Sequence, residues 1–154
     1  MELPRGITGF HDGDEPPPPA CDIRAFRGLC HAGSRALGGR VVGTGGPVGS
    51  GVANFTGLTL DLPGGRVAVL INLHHPIVAF AEAGEFDEGR IRFIDAPALA
   101  RHLDAGGGYL VLAAQEAASP VGEASCRLLA RAELTQVRYW RPRCIGEVAF
   151  NRWD

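Results

Sequence analysis

Apolar positions along the chain follow two periods, and the switches between them predict its elements. Ile23, Phe26, Leu29, Cys30 and Leu37 recur at roughly helical spacing. Asp22 precedes them as a good N-cap, since its side-chain oxygen can accept from first-turn N–H groups. Gly38-Gly39 stops the helix. Gly28 and Gly33 weaken it by roughly 1 kcal/mol each relative to alanine, so tertiary packing has to hold it. Residues 40–42 predict a short strand, and the glycine-rich stretch 43–51 predicts a loop. Residues 52–62 then alternate, with Leu58, Leu60 and Leu62 inward and Thr59 and Asp61 outward. Pro63-Gly64-Gly65 predicts a hairpin turn. Residues 66–73 form a nearly unbroken apolar run, the pattern of a central strand covered on both faces. His74-His75-Pro76 interrupts it, and residues 77–81 are expected to continue it beyond a bend.

Further along, residues 90–95 predict a strand, with Asp95 capping a short helix over 96–103 that ends at Gly106-Gly107-Gly108. Residues 109–114 predict another strand. Ser119-Pro120 puts a capping residue before a first-turn proline and predicts a helix to about residue 132. Residues 136–140 and 145–150 are the last two extended candidates. Residues 10–20 are acidic and then carry four consecutive prolines, which forbid a helix and favour an exposed polyproline arm. The sum is an α+β fold: a mainly antiparallel sheet of about six strands with two or three helices packed on one side of it. The 154 residues make one domain by length, covering 1–154.

Composition narrows the chemistry. All 15 basic residues are arginine. With no lysine there is neither a Schiff-base nucleophile nor a Walker A phosphate loop. A net charge of −2 gives no electrostatic reason for a nucleic-acid or anionic-membrane partner. No apolar run has the length of a bilayer span or the form of a signal peptide, so a cytoplasmic protein is expected. Its four cysteines are then expected to be free thiols, since their spacing gives no C-x-x-C pair.

Candidate sites are few. The glycine-rich stretch leads into strand periodicity rather than a helix N-terminus, which argues against a nucleotide cradle. His74 and His75 are neighbours on an extended segment and point apart, so they are not expected to chelate a metal together. Ser50 lies outside a G-x-S-x-G elbow. Cys144 with His74 or His75 leaves a thiol site open. Glu82, Glu85, Asp87 and Glu88 crowd four acids into seven residues, the composition of a solvated or partner-facing loop. No cofactor and no metal are expected.

The most distinctive segment is the last one. Tyr139-Trp140, Pro142, Ile145-Gly146-Glu147-Val148, Phe150-Asn151 and Trp153-Asp154 form a pattern YW-x-P-x-x-IGEV-x-FN-x-WD. It resembles the C-terminal signature of small bacterial immunity-type proteins from polymorphic or contact-dependent toxin systems. The resemblance covers about the last sixteen residues. It implies a cognate toxin-like protein partner, bound by steric masking, and brings no catalytic residues. The residues read by themselves place Val148 and Phe150 toward a core and Trp153 as a lock on the segment. Tyr139, Trp140 and Trp153 are also of the types enriched at interface hot spots.

Three functional readings follow. The first is a protein-binding immunity or inhibitor protein, with Glu82, Glu85, Asp87, Glu88, Tyr139, Trp140 and Trp153 as contact residues and the acidic loops steering a basic partner. The second is a small-molecule-binding or accessory domain using residues 43–51. The third is a small metal- or thiol-dependent enzyme around His74, His75 or Cys144.

Overall fold

The computed structural model describes residues 1–45, 52–84 and 90–153. The glycine-rich residues 46–51 and the acidic residues Glu85, Asp87 and Glu88 lie outside the described residues.

α1 (Ile23–Ala36) forms as its spacing predicts, with the Asp22 side chain accepting from Ala25 N–H. Phe26 and Cys30 are its buried apolar anchors. β1 (Arg40–Gly45) takes in Gly43 and Gly45, which the sequence assigns to a loop; they pair with Thr59 and Gly57 of β2 (Phe55–Leu62). Backbone pairing needs no side chain, and the register shifts between Val41 and Gly43 to admit it. β2 turns at Pro63-Gly64 into β3 (Gly65–Asn72), with Leu62 opposite Gly65. Gly65 sits at φ 127°, a conformation open to glycine.

β4 (Ile77–Glu82) does not continue β3. It folds back antiparallel, with Ile71 opposite Val78. Asn72 causes the reversal: its Oδ1 accepts from both His74 N–H and His75 N–H, and so replaces the ladder with a side-chain turn. β5 (Phe93–Ile94) and β6 (Leu110–Leu112) share the far edge of β4, β5 antiparallel at Phe80 and Ala81, β6 parallel along 77–79. The mainly antiparallel sheet of the sequence reading is therefore present, in the order β1-β2-β3-β4-β5 with β6 beside β4.

Both faces are covered, where the sequence puts helices on one. Leu58, Leu60, Val69, Ile71, Val78 and Phe80 pack against α1 and α2 (Pro97–Gly106). Phe55, Ala68, Leu70 and Ala79 face Leu3 and Ile7 of the N-terminal segment, together with α3 (Ala114–Ala117) and the C-terminal helices. Asp95 does not cap α2. Its Oδ1 accepts from Ala114 N–H at 2.9 Å and ties β5 to the start of α3.

The largest departures lie after residue 118. Ser119-Pro120 starts no helix: Pro120 bridges Cys144, and Ser119 O accepts from Ile145 N–H at 2.9 Å. A single turn, α4 (Glu123–Cys126), follows. Residues 131–140, partly read as a strand, are α5 (Arg131–Trp140), and residues 145–149 are α6 (Ile145–Ala149). The only fully buried side chain of α5 is Glu133, so its inward face carries a polar anchor that apolar periodicity cannot register. In α6 Ile145, Val148 and Ala149 are buried at i, i+3 and i+4, a pattern too short to tell from alternation.

The thiols give a pH dependence. All four cysteines are free. Cys30 is 2% exposed, and burial pushes its thiol from 9.0 up to about 12. A raised folded-state value means that the unfolded chain loses the proton first. The stabilisation is whole below pH 9.0 and drains as pH climbs toward about 12. The unfolding free energy from urea titrations taken from pH 8 upward should fall by about 1.4 kcal/mol per pH unit from this group above pH 9. Cys30→Ala should start lower and decline less steeply. Parallel curves for parent and variant would refute the assignment.

Candidate functional site

The C-terminal corner is assembled from buried polar groups. Asn54 Nδ2 donates to Ile7 O at 2.7 Å and to Ala149 O at 3.2 Å, while its Oδ1 accepts from Asn151 N–H at 2.6 Å. Asn72 Nδ2 donates to Ile7 O at 2.9 Å and to Ala149 O at 2.7 Å. Two amides, one just before β2 and one at the end of β3, thus satisfy the end of α6 and the N-terminal turn together. Phe150 then meets Phe55 edge-on at 5.8 Å and Phe93 at 5.9 Å. Trp153 is 8% exposed and lies 6.5 Å from Phe10. Gly146 is required here: a Cβ at this position would run into the Phe93 ring.

Where α5 meets α6 the surface changes character. Tyr139 is 75% exposed and Trp140 39%, with their rings edge-to-face at 5.2 Å. Trp140 Nε1–H donates to Gln136 Oε1, one turn back, which fixes the indole. Arg141 ends α5 at φ 51°, the left-handed conformation. Arg143 donates to Glu147 Oε1 from both Nε (3.2 Å) and Nη2 (2.9 Å), and Glu147 Oε2 accepts from Arg143 N–H.

Between this corner and the strand that follows residue 90 lies an open groove of about 810 Å³. Arg90, Arg92, Arg141, Arg143, Arg152 and Trp140 line it. Arg92 pairs with Glu82 at 3.4 Å and Arg143 with Glu147. Among the described residues Arg90, Arg141 and Arg152 make no ion pair, and the buried Nη2 of Arg152 has no hydrogen-bond partner. This concentration of positive charge in a chain of net charge −2 is a product of folding.

The structure divides the sequence candidates. Glu82 closes β4, half-buried and paired with Arg92. Tyr139 and Trp140 form the exposed ridge, and Trp153 packs inside the corner while touching the groove wall. His74 and His75 lie elsewhere, tying down the N-terminal arm: His74 Nδ1 meets Pro19 O at 2.9 Å and His75 Nε2 meets Arg5 O at 2.8 Å. Neither lines the groove that Cys144 enters. Burial, only partly offset by backbone N–H groups, raises the Cys144 thiol and so disfavours the thiolate form a nucleophile needs. Among the described residues no cluster of three or more His, Cys, Asp or Glu side chains could hold a metal. None of their helices is long and apolar enough to cross a membrane. The five groove arginines were absent from the sequence candidates. Their one legible sign is the crowding of Arg141, Arg143 and Arg152 around the last aromatic residues.

Fold and site together define an α+β protein, covered on both sheet faces, with an arginine-lined groove beside an exposed aromatic ridge. No family model, curated protein or solved structure matches the chain.

Proposed function

We propose that this chain is a binding protein of the immunity or inhibitor kind, which holds a cognate protein against the ridge at the end of α5. The observation that carries this reading is Tyr139: a large aromatic ring, 75% exposed, on a helix fixed from its other side by the buried Glu133. A rigid aromatic side chain with two rotatable bonds loses little entropy when a partner covers it, and Tyr, Trp and Arg dominate interface hot spots. Trp140 and the flanking Arg138 and Arg141 complete such a set within four consecutive residues. The C-terminal pattern that resembles an immunity-type signature includes the Tyr139-Trp140 pair.

The test uses the full chain in its native host, with a photo-crosslinking amino acid at position 139 and, as a control, at the exposed position of Asp104 on α2 against the opposite sheet face. One discrete protein should crosslink from 139 and not from 104. Expressed alone, that protein should arrest growth, and co-expression of this chain should restore it. No adduct, equal adducts from both positions, or a captured protein without toxicity would each sink the reading.

A further inference from the structure

We propose that the arginine-lined groove is a binding site for a small aromatic anion, a flat ring carrying a phosphate or carboxylate group. This goes beyond the partner-binding reading: Trp140 and Arg141 belong to both surfaces, but Tyr139, which carries that reading, does not line the groove, and the test below uses the chain without any partner.

Three observations carry the proposal. The first is Arg141. The position after a helix in the left-handed conformation favours glycine, because any Cβ is strained there. This chain has arginine at φ 51°. Backbone strain at a non-glycine residue persists where the surrounding structure holds it in place and clusters at ligand-binding sites, and Arg141 lines the groove. The second is Arg152, whose Nη2 is buried and lacks a hydrogen-bond partner among the described residues. A guanidinium carries five donors in a fixed fork that matches two oxygens of a phosphate or carboxylate, and Arg152 as a whole is only half-buried in the groove wall. The third is the make-up of the walls. Arg92 and Arg143 are already held by Glu82 and Glu147, so their positions are set before any ligand arrives. Arg90, Arg141 and Arg152 supply charge not neutralised by a carboxylate among the described residues. Trp140, fixed by its bond to Gln136, gives a ring platform beside them. A volume of about 810 Å³ is ample for a drug-sized molecule.

The chemistry follows from the donors. A planar fork discriminates a tetrahedral or planar oxyanion from a halide, and the indole face adds affinity for a flat ring over the bare anion. Binding is electrostatic at one end, so it weakens with salt.

Titration calorimetry on the full chain provides the test, with phenyl phosphate, benzoate, inorganic phosphate, benzyl alcohol and a hexaglutamate peptide as probes. Phenyl phosphate or benzoate should bind saturably, and about tenfold or more tighter than inorganic phosphate and benzyl alcohol. Arg141→Gly is the decisive variant. It relieves the left-handed strain, so its melting temperature should equal or exceed the parent's while affinity for the aromatic anion drops about tenfold or more. Arg152→Gln should lose a similar factor, and Trp140→Ala should reduce the aromatic anion to the level of inorganic phosphate. The proposal is overturned if no probe saturates, if Arg141→Gly keeps parental affinity, or if ring and bare anion bind alike. Tighter binding of hexaglutamate than of phenyl phosphate or benzoate would give the groove to an acidic protein segment and equally overturn it.

Discussion

Removing residues 150–154 should unfold the protein rather than strip it of one contact. Phe150 and Trp153 are 3% and 8% exposed, and both belong to the core under the β2–β4 face. Aromatic side chains of this size bury roughly 150–250 Å² each. At about 25 cal/mol per Å² that is roughly 4 kcal/mol apiece as an upper bound. The deletion also takes Asn151, whose N–H meets Asn54 Oδ1, and leaves that buried acceptor unsatisfied. Against a net stability of about 5–15 kcal/mol these losses decide the outcome. The truncated chain should show no cooperative thermal transition, or one lowered by about 15 °C or more. A transition within a few degrees of the parent would show that the segment is a contact surface laid on an independent core.

Glu133 should matter as much, for a different reason. Its carboxyl group is 0% exposed and accepts four hydrogen bonds: from Gly6 N–H and Ala130 N–H on Oε2, and from Thr8 N–H and Thr8 Oγ1–H on Oε1. One side chain thus ties the N-terminal turn, across 125 to 127 residues of sequence, to the start of α5. Hydrogen bonds to charged groups contribute about 1.5–3 kcal/mol each, and orphaned buried donors cost about 1–3. Glu133→Ala should therefore destabilise by about 4 kcal/mol or more. Glu133→Gln is the sharper variant. It keeps the shape but turns an NH₂ toward backbone N–H donors, so about 2–4 kcal/mol should still go. Urea unfolding gives the magnitude, and hydrogen exchange should show residues 1–9 opening first. If Glu133→Gln stays within about 1 kcal/mol of the parent, the side chain fills space and anchors nothing.

Much of the fold was legible in the chain. The Asp22 cap, the spacing of Phe26 and Cys30, the Pro63-Gly64 turn and the apolar run of β3 each act within a few residues, and each appears as read. Such signals are local: a cap or a turn satisfies its own backbone whatever the rest of the molecule does. The core position read for Val148 and Phe150 also agrees with the structure.

What only the tertiary structure decided lies where distant groups meet. The helical state of residues 131–140 rests on Glu133 finding donors at Gly6 and Thr8, and no window of sequence contains that pairing. Ser119-Pro120 looks like a helix start, yet it is spent on bridging residues 144 and 145. The reversal after β3 turns on Asn72, whose amide also reaches Ile7 and Ala149. The groove likewise exists only after folding, because Arg90 and Arg92 come from one edge of the sheet and Arg141, Arg143 and Arg152 from the far end of the chain. Hydrophobic periodicity records which face of an element is buried, whereas a buried polar bond or a convergence of charges depends on partners that only the closed fold brings within 3 Å of each other.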